Sequence, residues 1–278
     1  MKLFRNAAML VNGLLLAGML GACENVNDNA PIPQTPTTAS DRNAKTTQAV
    51  GQLIKDGNVS LTYNSQVPSA LSKEIYDNGA FHEFSYGAQL ISGKRFMTGF
   101  SNPTKEFSYT LDANGRCVQT VGDKTIIYEY DANGQLARYY NQQQPNERAV
   151  FTYKPDANGI TNSLFAVTFY DASDKITKVL EFNYSLTQPI ADKSPLNPDV
   201  FAKYVSKYLP IFGKFSGNLV QCSSEKKFVN GQKVSSVNYY HTYVLDYAGK
   251  VKNVTVKKYD GTLVSTTDRK YTIPNMAL

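Results

Sequence analysis

The sequence predicts an all-β protein, an antiparallel up-and-down meander that closes into a barrel, and three observations carry that expectation. The tetrapeptide Asp-Ala-Asn-Gly occurs three times, at 112–115, 131–134 and 156–159, each time behind a run with aromatic or apolar residues at alternate positions. Aromatic usage is lopsided, with 19 Tyr and 14 Phe but no Trp, a bias that suits pleated, half-buried surfaces. Further turn signals punctuate the rest of the chain at hairpin intervals: Asp77-Asn78-Gly79, Gly122-Asp123, Asn230-Gly231 and Asp260-Gly261.

Aligned on the Asp, "FSYTLDANGRC", "IIYEYDANGQL", "FTYKPDANGIT" and "HTYVLDYAGKV" share one pattern: apolar, x, Tyr, x, apolar, Asp, x, x, Gly. A degraded copy, "AVTFYDASDKI", puts Asp174 at the Gly position, and "KKYDGTLV" is a shortened turn. Period 2 before the Asp sets Phe107, Tyr109 and Leu111 on one face, and likewise Ile126, Tyr128 and Tyr130. That is the strand signature. The Asp starts a turn by bonding its own backbone, and the Gly supplies a positive φ. Each copy brings one carboxylate, whereas Ca²⁺ takes about six to eight oxygens, so the repeat reads as turn chemistry rather than a metal loop. A meander of this length has to curl, split or close, since open twisted sheets rarely exceed about ten strands.

One segment breaks the rhythm. In "NPDVFAKYVSKYLP", Asn197 is placed to cap, Pro198 takes the first helical position, and Pro210 stops the run. Val200, Phe201, Tyr204, Val205, Tyr208 and Leu209 would share one face, with Lys203, Ser206 and Lys207 opposite. The spacing predicts an amphipathic helix over 198–209, either capping an open end of the sheet or acting as a lid or plug over an internal cavity.

At the N-terminus, Lys2 and Arg5 precede an apolar run from Ala7 to Leu20. A positive start and a short apolar stretch define a secretory signal peptide, expected here over 1–22. Leu20-Gly21-Ala22-Cys23 resembles the bacterial lipobox, which implies that Cys23 is the lipid-attachment residue and that the acyl chains hold the protein to the membrane. Residues 23–48 follow as lipidated Cys and flexible linker, without an aromatic residue and with Pro31, Pro33 and Pro36 close together. Residues 49–278 form the single barrel domain, which an outer-membrane lipid anchor would place on either the periplasmic face or the cell surface.

The usual chemistry is not written in this chain. With only two His, His82 and His241, neither a His-based triad nor a three-His metal site is expected. "GAQLISGKR" has the wrong glycine spacing for a phosphate loop, and "GKFSG" puts Ser216 one place off a nucleophile elbow. Glu74, Glu83, Glu106, Glu129, Glu147 and Glu181 could supply a glycosidase pair only if folding brought two together. No catalytic residue, cofactor or metal site is assigned. The formal net charge of +6 includes Lys2 and Arg5, and the remaining basic residues are scattered, which argues against a nucleic-acid partner. Cys117 and Cys222 could pair in an exported protein; equally, Cys117 fits the small apolar slot that Leu136, Val251 and Leu263 hold in sister repeats.

The Tyr-x-Tyr-Asp form of "YEYDANGQL" resembles the YD repeats of RHS-type bacterial surface and toxin proteins. Lipobox, polar tether, YD-like hairpins and "NPDVFAKYVSKYLPIFGK" followed by "SGNLV" together resemble, from about Val59 onward, a family of bacterial lipoproteins of unknown function. That resemblance implies a porin-like barrel and brings no site residues. Charges such as Glu129 and Lys154, opposite the aromatic face, favour a water-soluble barrel over a membrane-spanning one. The expected role is non-catalytic: structural or ligand-binding in the cell envelope, with a carrier of apolar molecules or glycans in a Tyr-rich interior as the sharper alternative and a glycoside hydrolase as the remoter one. If Cys23 carries the lipid, Cys23→Ala abolishes incorporation of radiolabelled palmitate in the native host; label retained by the variant contradicts the anchor.

Overall fold

The computed structural model describes residues 51–64, 70–155, 162–185, 188–202 and 205–272. The stretch expected to be a leader, Cys23, the expected linker and the third Asp-Ala-Asn-Gly copy lie outside the described residues. Each described Asp of the repeat spends its carboxylate on its own turn. Oδ1 of Asp112, Asp131, Asp171 and Asp246 accepts the backbone N–H groups two and four residues on, at 2.8–3.0 Å. Gly115, Gly134 and Gly249 take φ of 77°, 76° and 76° three residues after the Asp. Asp174, in the degraded copy, holds the same conformation at φ 62°, a left-handed state that Asp tolerates better than most residues.

The described residues form sixteen strands. They are β1 (Leu53–Asp56), β2 (Val59–Tyr63), β3 (Leu71–Tyr76), β4 (Phe81–Tyr86), β5 (Leu90–Phe96), β6 (Lys105–Leu111), β7 (Cys117–Val121) and β8 (Thr125–Tyr130). The second half comprises β9 (Leu136–Asn141), β10 (Gln144–Pro155), β11 (Asn162–Tyr170), β12 (Ile176–Asn183), β13 (Cys222–Val229), β14 (Gln232–Leu245), β15 (Val251–Lys258) and β16 (Leu263–Tyr271). The four Asp turns join β6 to β7, β8 to β9, β11 to β12 and β14 to β15. Every strand pairs antiparallel with its neighbour in sequence, and β1 meets β16 at Asp56↔Arg269 and Leu53↔Tyr271, so the barrel is closed. Closure leaves no edge strand to template association.

A tyrosine ladder ties one rim. Near the end of seven even-numbered strands a Tyr hydroxyl reaches back to a carbonyl at the start of the preceding strand. The donors are Tyr63, Tyr86, Tyr130, Tyr153, Tyr184, Tyr243 and Tyr271, and their acceptors Leu53, Leu71, Cys117, Leu136, Leu164, Val220 and Val251 lie 2.6–3.1 Å away. Each such bond contributes about 1 kcal/mol net. The repeat's tyrosines therefore act as stitches as well as core.

The two faces of the wall divide cleanly. Outside, opposed charges meet across neighbouring strands: Lys73–Glu83 at 2.7 Å, Lys94–Glu106 at 3.6 Å, Glu129–Arg138 at 2.6 Å and Glu181–Lys226 at 2.6 Å. Inside, Tyr109, Cys117, Leu136, Ala149 and Val167 are buried. Gly93 on β5 has a reason of its own, since a Cβ there would sit 2.1 Å from the Phe107 ring. Cys117 and Cys222 form no disulfide; both are buried, six strands apart around the barrel, and Cys117 fills the apolar slot also held by Leu136 and Val251. Leu263 departs from that slot, because its hairpin lies at the opposite rim and leaves the side chain 59% exposed.

The helix expected over 198–209 is not formed. The described part of that stretch runs as turns and irregular chain inside the lumen, with no helix among the described residues. The physical reason is enclosure. An amphipathic helix buries one face, whereas a segment inside a barrel is surrounded, and its supposed polar face is buried too: Ser206 is only 4% exposed. Wall and neighbouring chain supply the backbone partners that a helix would supply itself. Tyr109 Oη accepts the Ser206 N–H at 3.3 Å, Tyr139 donates to the Val200 carbonyl at 2.8 Å, and Asn197 Nδ2 donates to the Leu209 carbonyl at 2.6 Å. Asn197 does satisfy orphan backbone groups, but those of a closed loop.

Candidate functional site

The chain leaves the wall after Asn183 and rejoins it at Cys222, and the intervening segment is the plug of the lumen. Its two arms hold each other through Asp192 N–H to the Gly217 carbonyl at 2.9 Å and Leu219 N–H to the Ile190 carbonyl at 2.8 Å. Strand N–H groups bind it from the wall, Cys117 to the Ile211 carbonyl and Leu164 to the Phe215 carbonyl, both at 2.7 Å. Around these bonds an aromatic cluster packs: Phe201 stacks on Phe212 with centroids 4.5 Å apart, and Tyr128 approaches Phe212 at 5.0 Å.

Two buried carboxylates clamp the middle of the plug. Glu74, on β3, accepts the Ser206 hydroxyl and, at 3.2 Å, the Tyr76 hydroxyl, with His82 Nδ1 also 3.2 Å away. Asp56, on β1, receives Arg269 Nε at 2.9 Å, Lys207 Nζ at 2.6 Å and the Tyr208 hydroxyl at 3.0 Å. Burial alone would raise the Asp56 pKa; the Lys207 and Arg269 charges outweigh it and hold the carboxyl below its usual value of 3.8. Lys207 and Tyr208 on Asp56 and the Ser206 hydroxyl on Glu74 thus fix where this part of the plug sits.

The plug fills the lumen unevenly. Against β3 to β11 it packs into a buried apolar core. Against β12 to β16 it leaves a half-open cavity of about 610 Å³. The wall there is Leu180 and Phe182 of β12, Ser223 and Glu225 of β13, Tyr239, His241 and Tyr243 of β14, and Val254 and Val256 of β15; Leu196, Tyr208, Phe215 and Leu219 of the plug face them. The hydroxyls of Tyr184 and Tyr243 are already donated to strand carbonyls, so these two present rings rather than polar groups. His241 Nε2 lies 2.8 Å from Ser223 Oγ, and burial lowers the imidazole pKa to about 4. It is neutral at pH 7.

The residues weighed from the sequence scatter. Glu83, Glu106, Glu129, Glu147 and Glu181 each pair with a Lys or Arg on the outside or at a rim, and Glu74 alone points into the lumen, onto the plug. His82 and His241 lie on opposite halves, on β4 and β14. Ser216 caps a plug turn by accepting the Asn218 N–H at 2.9 Å. Sequence reasoning missed Leu180, Phe182, Val254 and Val256. Their alternation marks them as one face, but nothing local says which stretch of wall the plug leaves bare.

No protein-family model matches the sequence, and no curated protein matches it. Solved structures do match the barrel. A porin-like protein from Bacteroides vulgatus aligns over 80% of this chain and 99% of its own, with 15% identity and a TM-score of 0.55. A porin-like protein from Bacteroides uniformis aligns over 77% and 89%, with 14% identity and a TM-score of 0.42. The first likeness is one of fold: a closed, porin-like antiparallel barrel.

The half-buried His241 imposes a pH dependence. Between the ordinary imidazole value of 6.5 and about 4 the unfolded chain binds a proton that the folded chain refuses, so stability falls as pH drops through that window. His241→Phe, which installs the residue that Phe107 places in the sister slot, removes this contribution. The urea midpoint should fall less between pH 7 and pH 5 in the variant than in the wild type; an unchanged fall contradicts a half-buried, neutral His241.

Proposed function

We propose that this chain is a non-catalytic, lipid-anchored protein of the cell envelope whose barrel lumen binds an apolar molecule. The observation that carries the reading is the cavity between the plug and β12 to β16, about 610 Å³, within the range of about 300–1,000 Å³ typical of small-molecule sites. Its lining is mainly aliphatic and aromatic, with Asp192, Lys207, Glu225, His241 and Arg269 among its charged or titratable members. A glycan suits it less well, because sugar hydroxyls need polar partners and the Tyr184 and Tyr243 hydroxyls are engaged in the wall.

The barrel is read as water-soluble and not as a membrane channel. Charged pairs such as Glu129–Arg138 and Lys94–Glu106 lie outside, on directly opposed strand positions. A membrane barrel carries an apolar outer band there, and a cation at the bilayer midplane costs about 2–4 kcal/mol. Anchoring then falls to Cys23 at the outer membrane, with residues 24–48 as the tether. Binding is favoured over hydrolysis because five of the six weighed glutamates are committed to ion pairs away from the cavity. A basic stripe for nucleic acid is likewise not what the lumen offers.

The protein contains no Trp, which makes a filling substitution easy to follow. Val256→Trp should occupy the cavity and abolish saturable binding of the neutral fluorophore N-phenyl-1-naphthylamine while the barrel remains folded. Saturable binding that survives the substitution, or that the wild type never shows, contradicts the cavity as the site.

A further inference from the structure

The cavity wall changes character toward its hairpin end. Lys178 pairs directly with Lys227 across β12 and β13, two residues beyond the Leu180↔Glu225 pair whose side chains line the cavity. On β14 and β15, Tyr239↔Lys258 lies two residues beyond His241↔Val256, both of them cavity residues. Because side chains alternate strictly between faces, Lys178, Lys227 and Lys258 share the luminal face with the apolar wall toward this rim, Lys178 directly beside Lys227 and Lys258 two strands further on. Lys178 Nζ sits 4.2 Å from the Phe169 ring centroid, and Lys227 Nζ lies 3.1 Å from Glu225 Oε1 with its side chain 60% exposed. Lys258 is exposed. Its acidic neighbour Asp260 is held in the hairpin turn by the Thr262 N–H at 2.9 Å. The other cavity acids, Asp192 and Asp199, belong to the plug. On the luminal face toward this rim, the wall thus carries three lysines and one carboxylate of the cavity lining, Glu225.

Resting on the reading of the cavity as a ligand site, we infer that the ligand is a single-chain anionic amphiphile, its apolar chain against Leu180, Phe182, Val254 and Val256 and its acid head among Lys178, Lys227 and Lys258. The chain gains by leaving water along an apolar wall. The head stays toward the open rim, where the wall lysines can meet it without the cost of full burial. The hairpin between β15 and β16 adds an apolar lip: Val264, which lines the cavity, is 48% exposed.

Calorimetric titration of the folded barrel with decanoate, decanol and decyltrimethylammonium separates the two layers of the argument. Decanoate should bind about fivefold more tightly than decanol, the size of one partly exposed charge interaction, and the ammonium amphiphile most weakly. The variant carrying Lys178→Gln, Lys227→Gln and Lys258→Gln, with its melting temperature checked against wild type, should bind decanoate and decanol equally. A decyl phosphate arm tells a phosphate head from a carboxylate head. Equal binding of decanoate and decanol by wild type, a preference for the cation, or a decanoate preference that survives in the triple variant overturns the anionic head while leaving the cavity reading intact. Failure of every chain to bind wild type overturns the cavity reading and this inference with it.

Discussion

A sixteen-strand wall is too wide to fill its own interior, and the rest of the structure answers that constraint. Barrels of about eight strands close around their own side chains, whereas those of about sixteen leave room for a channel. This chain keeps the wall aromatic on the inside, which would be untenable against a column of water, and interrupts the meander after β12 to send the segment between Asn183 and Cys222 into the lumen. Tyr109, Phe151 and Leu164 find their partners in Phe212, Phe215 and their neighbours rather than across the barrel. The core is thus a two-body core, wall and plug, within one continuous chain.

What positions the plug is polar. Apolar contacts alone would tolerate sliding of an irregular segment along an apolar lumen; Asp56 and Glu74 remove that freedom. Asp56 joins β1, β16 and the plug in one cluster, since Arg269 comes from the strand that closes the barrel and Lys207 from the plug. Glu74 ties β3 and β4, through His82, to Ser206. Both clamps act on residues 206–208, so they draw that part of the plug toward the first strands of the barrel. The vacancy along β12 to β16 is the geometric consequence, and with it the ligand reading.

Much of this architecture was legible in the sequence. Asp and Gly of the repeat are backbone devices, and the four described Asp carboxylates all cap their own turns. The inward face of the strands followed from period 2. The helix over 198–209 was misread because amphipathic spacing assumes one buried side and one solvated side, and inside a lumen the supposed polar face turns inward as well, Ser206 onto Glu74 and Lys207 onto Asp56. Asp56 and Glu74 were equally hard to find, since an acid at an alternate strand position looks the same whether it faces solvent or a clamp. The cavity depends on where an irregular segment stops, which no local pattern encodes. The tyrosine ladder lay in between. The residues stood out, but their reach across each hairpin needed the register.

The division of the lumen into a filled half and an open half is therefore the physical basis for the proposed role, and it can be read without knowing the ligand. Apolar cavities take up xenon, whereas close-packed cores do not. In crystals of the barrel pressurised with xenon, anomalous density is expected against Leu180, Phe182, Val254 and Val256, with none beside Tyr109, Phe151 and Phe212. Xenon seated among the latter, or none on the β12 to β16 wall, would show that the plug does not divide the lumen in this way.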